Sequence, residues 1–234
     1  SSLVSIDLPA SLTTIPSSAF YDSSLVSVTL PAGLVSIGYE AFWGCPSLAR
    51  VTFPASLTSI GMYAFYRCSS LASIDLPAGL TSIDDYAFCG CSSLVSIDLP
   101  ASLTSIGTDA AEISEAFANC SSLARVTFPA GLTSIGDGAF ERCSALSRVT
   151  FPAGLTSIGS GAFARCSSLS SVTFPAGLTS IGGYSRAFLN CSSLAHVTFA
   201  AALTSIGSQA FYSCSALTSA SFPAGHASIG SHAF

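Results

Sequence analysis

The chain has 234 residues, half of them hydrophobic and only 8% charged, with a net charge of −5. All seven of its cationic residues are Arg, so it lacks the concentrated basic face that nucleic-acid readers carry, and attraction to an anionic membrane surface is disfavoured for the same reason. No apolar run approaches the ~20 residues that span a bilayer, so the high apolar content points to a continuous core and not to membrane insertion.

Read from the N-terminus, one phrase returns ten times. Its first Leu stands at Leu3, Leu25, Leu48, Leu71, Leu94, Leu123, Leu146, Leu169, Leu194 and Leu217, in steps of 22, 23, 23, 23, 29, 23, 23, 25 and 23 residues. A fixed period in this range marks a solenoid, in which each unit is too small to bury its own apolar face and must stack on its neighbours. The chain opens at Ser1 without Met or a signal peptide and stops at Phe234 inside its tenth phrase, with no atypical capping unit at either end. The expectation is one solenoid over residues 1–234, part of a longer chain.

The phrase is clearest in residues 71–91, LASIDLPAGLTSIDDYAFCGC. Ser73 and Asp75 alternate with Ile74 and Leu76, a period of two that predicts a short strand. Pro77 ends it, since Pro cannot donate to a ladder. Pro-Ala-Gly supplies a turn, and Leu80 and Ile83 open a second short apolar stretch, followed in most repeats by Gly. The Ala-Phe pair is predicted as one helical turn that drops Phe88 into the core. A 23-residue unit has no room for a long helix, so the back of the stack is predicted as short strands and 3₁₀-like turns. Leu71, Ile74, Leu76, Leu80, Ile83 and Phe88 are the predicted core, each lying against its counterparts in adjacent rungs.

Two repeats are longer. The 29-residue unit gains about six residues near Ala110–Glu115, with acidic Asp109, Glu112 and Glu115; the 25-residue unit gains two near Tyr184–Arg186. Insertions in solenoids are predicted as loops on one face, often the binding face. Glu112 and Glu115 have the makings of an acid/base pair, but no cleft or partner residue supports one.

Eight of the nine cysteines share one repeat position: Cys45, Cys68, Cys91, Cys120, Cys143, Cys166, Cys191 and Cys214, with Asp22 in that place in the first repeat. A column three residues after a buried Phe suits small, well-packed free thiols. Disulfides between rungs about 4.8 Å apart are geometrically allowed, yet they would distort a uniform ladder. Cys89 falls outside the column and is expected at the surface. There is no CxxC zinc spacing, no HExxH, no GxSxG elbow and no phosphate-binding glycine loop, so no metal, cofactor or catalytic group is expected. Asn119-Cys120-Ser121 and Asn190-Cys191-Ser192 match the glycosylation sequon, with a buried Cys in the middle of each.

The outward strand positions form two columns. One carries Arg50, Arg125, Arg148 and His196 among serines; the other carries Asp75 and Asp98 among threonines. Arg50 is diagonal to Asp75, and Asp98 to Arg125. They read either as solvated ion pairs on a threonine ladder or as a polar face placed for a protein or glycan ligand. Tyr39, Trp43, Tyr63, Tyr66 and Tyr86, with Tyr21, gather beside the Ala-Phe turns of the first four repeats. They read either as a stripe that stacks sugars or anchors a partner, or as a shield for the back of the core.

The phrase LxxIxLPxxLxxIGxxAFxxC resembles the leucine-rich repeat of the BspA-like class, also called the Treponema pallidum type, over essentially residues 3–234. The resemblance implies a right-handed, curved solenoid with a parallel sheet on its concave side, and the surface-exposed adhesins common in that class. The chain departs from the class in lacking Lys, in having almost no Asn, and in Ala200 where the repeat Pro belongs. The function expected is a non-enzymatic recognition module, extracellular or on the cell surface, that binds protein or glycan. The alternative is a structural scaffold subunit packed against other chains. Ice binding by the threonine columns is disfavoured by curvature and by the interrupting Asp and Arg.

Overall fold

The computed structural model describes residues 2–107, 114–199, 201–222 and 228–234. It is a parallel β-solenoid of about nine turns, with no helix among those residues. The LxxIxLP phrase forms three-residue strands such as Arg50–Thr52, Arg125–Thr127, Arg148–Thr150 and Ser171–Thr173. Each points its middle residue inward and the other two outward. Neighbouring strands are parallel and in register, Val28 over Val51 and Val149 over Val172, so each inward side chain rests on its own equivalent. The LTSI phrase forms a second face of two- to six-residue strands from Thr14–Ile15 to Ser228–Ile229.

The Gly after Ile is dictated by how closely the rungs approach at this bend. A Cβ added at Gly61 would lie 2.8 Å from the Ile37 carbonyl oxygen and 3.0 Å from the Gly38 carbonyl carbon, contacts that side-chain carbons do not tolerate.

The Ala-Phe segment differs from the helical turn expected of it. The Phe N–H does not donate within its own rung. It reaches the Ala carbonyl of the next one, as in Phe65 to Ala87 at 2.8 Å and Phe140 to Ala162 at 2.8 Å. The Ala N–H closes a tight turn to the residue three before it, Ala64 to Gly61 at 3.1 Å. Alternate donors therefore serve turn and ladder, which requires left-handed backbone on both sides of the pair: Glu40 (φ 54°) and Gly44 (φ 66°) in one rung, Glu115 (φ 34°) and Asn119 (φ 60°) in another. Asn190 takes the same place at φ 58°. Both sequon asparagines thus stand where the backbone favours Asn or Gly.

Eight phenylalanines, Phe42 through Phe211, are fully buried and form one stack. Ring centroids lie 5.0 Å apart for Phe42–Phe65 and 5.4 Å for Phe140–Phe163, with rings within 11° of parallel. A second column at the end of the strand phrase (Phe128, Phe151 and Phe174 before Pro, Phe199 before Ala200) meets the first edge-on, as in Phe128–Phe140 at 81°. Both geometries are those aromatic pairs prefer.

The cysteine column completes the interior. All nine cysteines are free and buried. Each thiol of the column donates to the Phe carbonyl one rung back: Cys68 to Phe42 at 3.1 Å, Cys143 to Phe117 at 3.3 Å, Cys191 to Phe163 at 3.2 Å. In most rungs that carbonyl already accepts the N–H of its own rung's cysteine, Cys91 to Phe88 at 3.2 Å for example, so the thiol occupies its second lone pair. In the first rung the position belongs to buried Ser23, not Asp22, because that repeat is one residue shorter. Ser23 Oγ lies 3.1 Å from Cys45 Sγ. Cys89, expected at the surface, is buried (4% exposed), with Asn119 Nδ2 3.9 Å from its sulfur.

Phe140→Ala should lower the unfolding free energy by ~3–5 kcal/mol in urea denaturation, the range for a buried Phe, while exposed Thr150→Ala should leave it within ~0.5 kcal/mol. A large loss at Thr150 would mean that the two strand faces are reversed.

Burial raises the thiol pKa of Cys166 to about 12 and that of Cys89 to about 11, against ~8.5 for an unfolded cysteine. The unfolded chain therefore loses its thiol protons first, and stability, complete below about pH 8.5, falls as pH rises through the folded values. Each such thiol should remove up to ~1.4 kcal/mol per pH unit between about pH 9 and 11. Cys166→Ala should flatten the slope of unfolding free energy against pH by that amount over this range. An unchanged slope would exclude the thiols as its source.

Candidate interaction face

The outward positions of the LxxIxLP phrases place Arg50, Asp75, Asp98, Arg125, Arg148 and His196 on one exposed face; the phrase that carries Asp75 forms a single bridge, Ser73 to Ser96, in place of the strand expected there. Asp98 and Arg125 meet as the diagonal predicts: Arg125 Nη1 is 2.8 Å from Asp98 Oδ1 and 2.9 Å from Thr127 Oγ1. A hydrogen bond from the Thr127 side chain, followed by that from the Arg125 guanidinium, holds the Asp98 carboxyl below its ordinary pKa. Arg50 and Asp75 line one shallow depression with Ser73 and Thr52, without forming an ion pair. His196 Nδ1 is 3.1 Å from Ser219 Oγ one rung on.

The aromatic residues of the first repeats form a separate group. Tyr21 stacks on Trp43 (4.5 Å, 4°), Trp43 on Tyr66 (5.7 Å, 16°) and Tyr63 on Tyr86 (4.7 Å, 11°), while Tyr39 meets Tyr63 edge-on at 6.0 Å. Arg67 lies over the Tyr66 ring at 5.2 Å. Trp43 is stacked between Tyr21 and Tyr66, while Tyr21 and Tyr39 remain exposed. Burial and Glu115 push the Tyr86 phenol up to about 12.

Of the acidic insertion, Asp109 and Glu112 lie outside the described residues. Glu115 is half-buried, and burial with the nearby Glu141 raises its carboxyl above the ordinary value. The two extra residues near Tyr184–Arg186 are taken up inside the strand Ser180–Ser185 as a bulge: Gly182 (φ 75°) and Gly183 (φ 26°) absorb the excess, and Ser185 pairs with Ser208. Among the described residues no group of three or more His, Cys, Asp or Glu is placed to hold a metal ion, and no helix is long and apolar enough to cross a membrane.

The model for the BspA type leucine rich repeat region, built for six copies, matches residues 1–114 and 111–234. The chain belongs to the BspA-type leucine-rich repeat family. Among solved structures, a leucine-rich repeat protein of T. pallidum is 29% identical over 90% of this chain and 76% of its own, with a TM-score of 0.57. A leucine rich cell surface protein of Faecalibacterium prausnitzii A2-165 is 25% identical over 89% and 82%, with a TM-score of 0.52. A search of the curated proteins found no match.

Set in this BspA-type solenoid, the polar face is built from residues that the outward columns identify directly. Thr127, Ser147, Thr150 and Phe128 line the depression beside Arg125 and Arg148 and carry no site signal of their own in the sequence. The threonines belong to a repeated ladder, and Phe128 is a core-type position that the structure leaves half-exposed.

If the aromatic ladder is a shield, Trp43→Ala should destabilise the fold by ~1–3 kcal/mol, since it removes two stacked contacts worth ~0.5–1.5 kcal/mol each. Urea unfolding followed by circular dichroism reads this, and an unaltered midpoint would return the ladder to the candidate binding residues.

Proposed function

We propose that the chain is a non-catalytic recognition module that adheres to a protein or glycan ligand through its LxxIxLP face, outside the cell or at its surface. The observation that carries this reading is the contrast between the faces. The LTSI face repeats the same Thr-Ser pair in most rungs and spends its Thr hydroxyls on the preceding rung, as in Thr156 to the Thr133 carbonyl at 3.0 Å and Thr179 to that of Thr156 at 3.0 Å. The LxxIxLP face is where side-chain identity varies, among Ser, Arg, His, Asp and Thr, and where shallow depressions lie against Arg50, Arg125 and Arg148. Binding surfaces on stacked repeats are extended and open in this way. The similarity to a cell-surface protein supports the location.

The test is binding of the purified chain to panels of immobilised matrix proteins and glycans, with a bulky block on each face. Thr173→Trp on the LxxIxLP face should abolish capture, and Thr156→Trp on the LTSI face should not. Capture that survives the first block and is lost with the second would overturn the assignment of the face.

A further inference from the structure

Equivalent residues lie one rung apart, so like charges in one column repel unless an opposite charge stands between them. Arginines occupy one column on successive rungs at two places. At the Ala-Phe corner, Arg142 and Arg165 share Glu141, whose Oε1 is 3.4 Å from Arg142 Nε and 3.6 Å from Arg165 Nη1. Arg125 and Arg148 stand in the same relation on the LxxIxLP face, without such a bridge. Arg125 is drawn back to Asp98 on the preceding rung, and Arg148 forms no ion pair among the described residues.

The strand ladder is also interrupted at this junction. Arg125–Thr127 pairs back to Ser96–Asp98, Arg148–Thr150 pairs forward to Ser171–Thr173, and no strand pairing joins the two. The junction carries a depression of about 590 Å³ lined by Arg125, Arg148, Thr127, Thr150, Ser147 and Phe128, within the ~300–1,000 Å³ of small-ligand sites.

We infer that this depression binds an acidic sugar, the carboxylate or sulfate of a polysaccharide residue bridging the two guanidinium groups. The inference rests on the reading of this face as the recognition surface. An anion there supplies the counter-charge that Glu141 supplies at the other arginine pair, and guanidinium forks hold such oxyanions in two parallel hydrogen bonds. The hydroxyls of Thr127, Thr150 and Ser147 both donate and accept, which suits sugar hydroxyls, and Phe128 offers an apolar wall. An acidic peptide fits less well, because the depression lies between successive rungs and exposes no long free strand edge for a peptide to extend along.

The experiment is equilibrium binding of heparin (sulfated), polygalacturonate (carboxylated), neutral dextran and polyglutamate to the wild-type chain and to Arg148→Gln, Arg125→Gln and Arg165→Gln. Heparin or polygalacturonate should bind where dextran does not, weakening at least about tenfold in Arg148→Gln and Arg125→Gln and falling with added salt. Arg165→Gln makes the same change in net charge at the Glu141 corner and should bind as wild type. Which of the two polysaccharides binds decides between sulfate and carboxylate. Equal loss in Arg165→Gln would reduce the effect to net charge and overturn the site, as would binding of polyglutamate alone or of none of the four. If another ligand is captured and lost on Thr173→Trp but not on Arg148→Gln, the acidic-sugar site falls while the recognition face stands; if Thr173→Trp is also silent, both fall.

Discussion

The molecule is governed by a translation of one rung. Residue pairs such as Val28–Val51 and Ser171–His196 stand directly over each other, so any side chain adopted in a column must tolerate a copy of itself about 5 Å away. Phenylalanine meets that condition by stacking, with centroids 5.0–5.4 Å apart along the main column from Phe42 to Phe188. Leucine, isoleucine and valine meet it by packing. A charged residue does not: two like charges 5 Å apart repel by roughly 0.8 kcal/mol in water and by ~3 kcal/mol at the effective dielectric of a protein surface. The low charge of the chain is one consequence.

The same translation explains the abundance of Ser, Thr and Cys. Serine and threonine hydroxyls and cysteine thiols point back one rung onto carbonyl oxygens, on the surface in Thr81 to Thr58 (3.1 Å) and Ser144 to Ser121 (3.2 Å) and in the interior in Cys166 to Phe140 (3.3 Å). One short donor per rung extends the hydrogen-bonding of the backbone without needing a different residue on the neighbouring rung. The column of thiols is thus a hydrogen-bonding device as much as a packing one. Ser23 shows this in the first rung, where a hydroxyl takes the thiol's place and remains buried beside Cys45. Disulfides would remove the donors that fill the second lone pair of the Phe carbonyls.

Much of the fold is legible in the period. The strand expected over Ser73–Leu76 is reduced to a single bridge from Ser73 to Ser96, but the same alternation in other repeats, with the Leu80–Ile83 spacing, locates both strand faces and the inward side of each, because burial of a repeated apolar pattern leaves one stable arrangement. The Ala-Phe corner is less legible. Its conformation depends on N–H groups such as that of Phe65 bonding to the next rung, and local propensity reads a short Ala-Phe stretch with tight turns as helical. The left-handed positions carry residues as different as Glu40, Arg142 and Asn119, so no single residue type betrays them. Cys89 misleads because the place it fills is held elsewhere by Trp43, Tyr66 and Glu141; its burial follows from its small size beside Asn119. The candidate interaction face is legible in its columns, but the interruption between Arg125–Thr127 and Arg148–Thr150 is a property of rung spacing that spelling alone does not disclose.

In a stack where every column is constrained by self-repetition, departures from the repeat carry more information than the repeat itself. The arginine pairs illustrate how such departures are sorted. Arg142 and Arg165 come with Glu141 between them, a balanced arrangement whose charges are spent on one another and which exposed-pair energetics would value at no more than ~1 kcal/mol per contact. Arg125 and Arg148 have their one counter-charge on the far side, at Asp98, and the strand pairing is interrupted between them. Asp98 leaves the second guanidinium uncompensated, in an exposed column that carries Arg50, Arg125 and His196 among serines. A charge that faces a like charge one rung away, with no ion pair of its own among the described residues, is the kind of departure that the proposed recognition face accounts for, and it makes the charge pattern of this face weigh more in that reading than its shape.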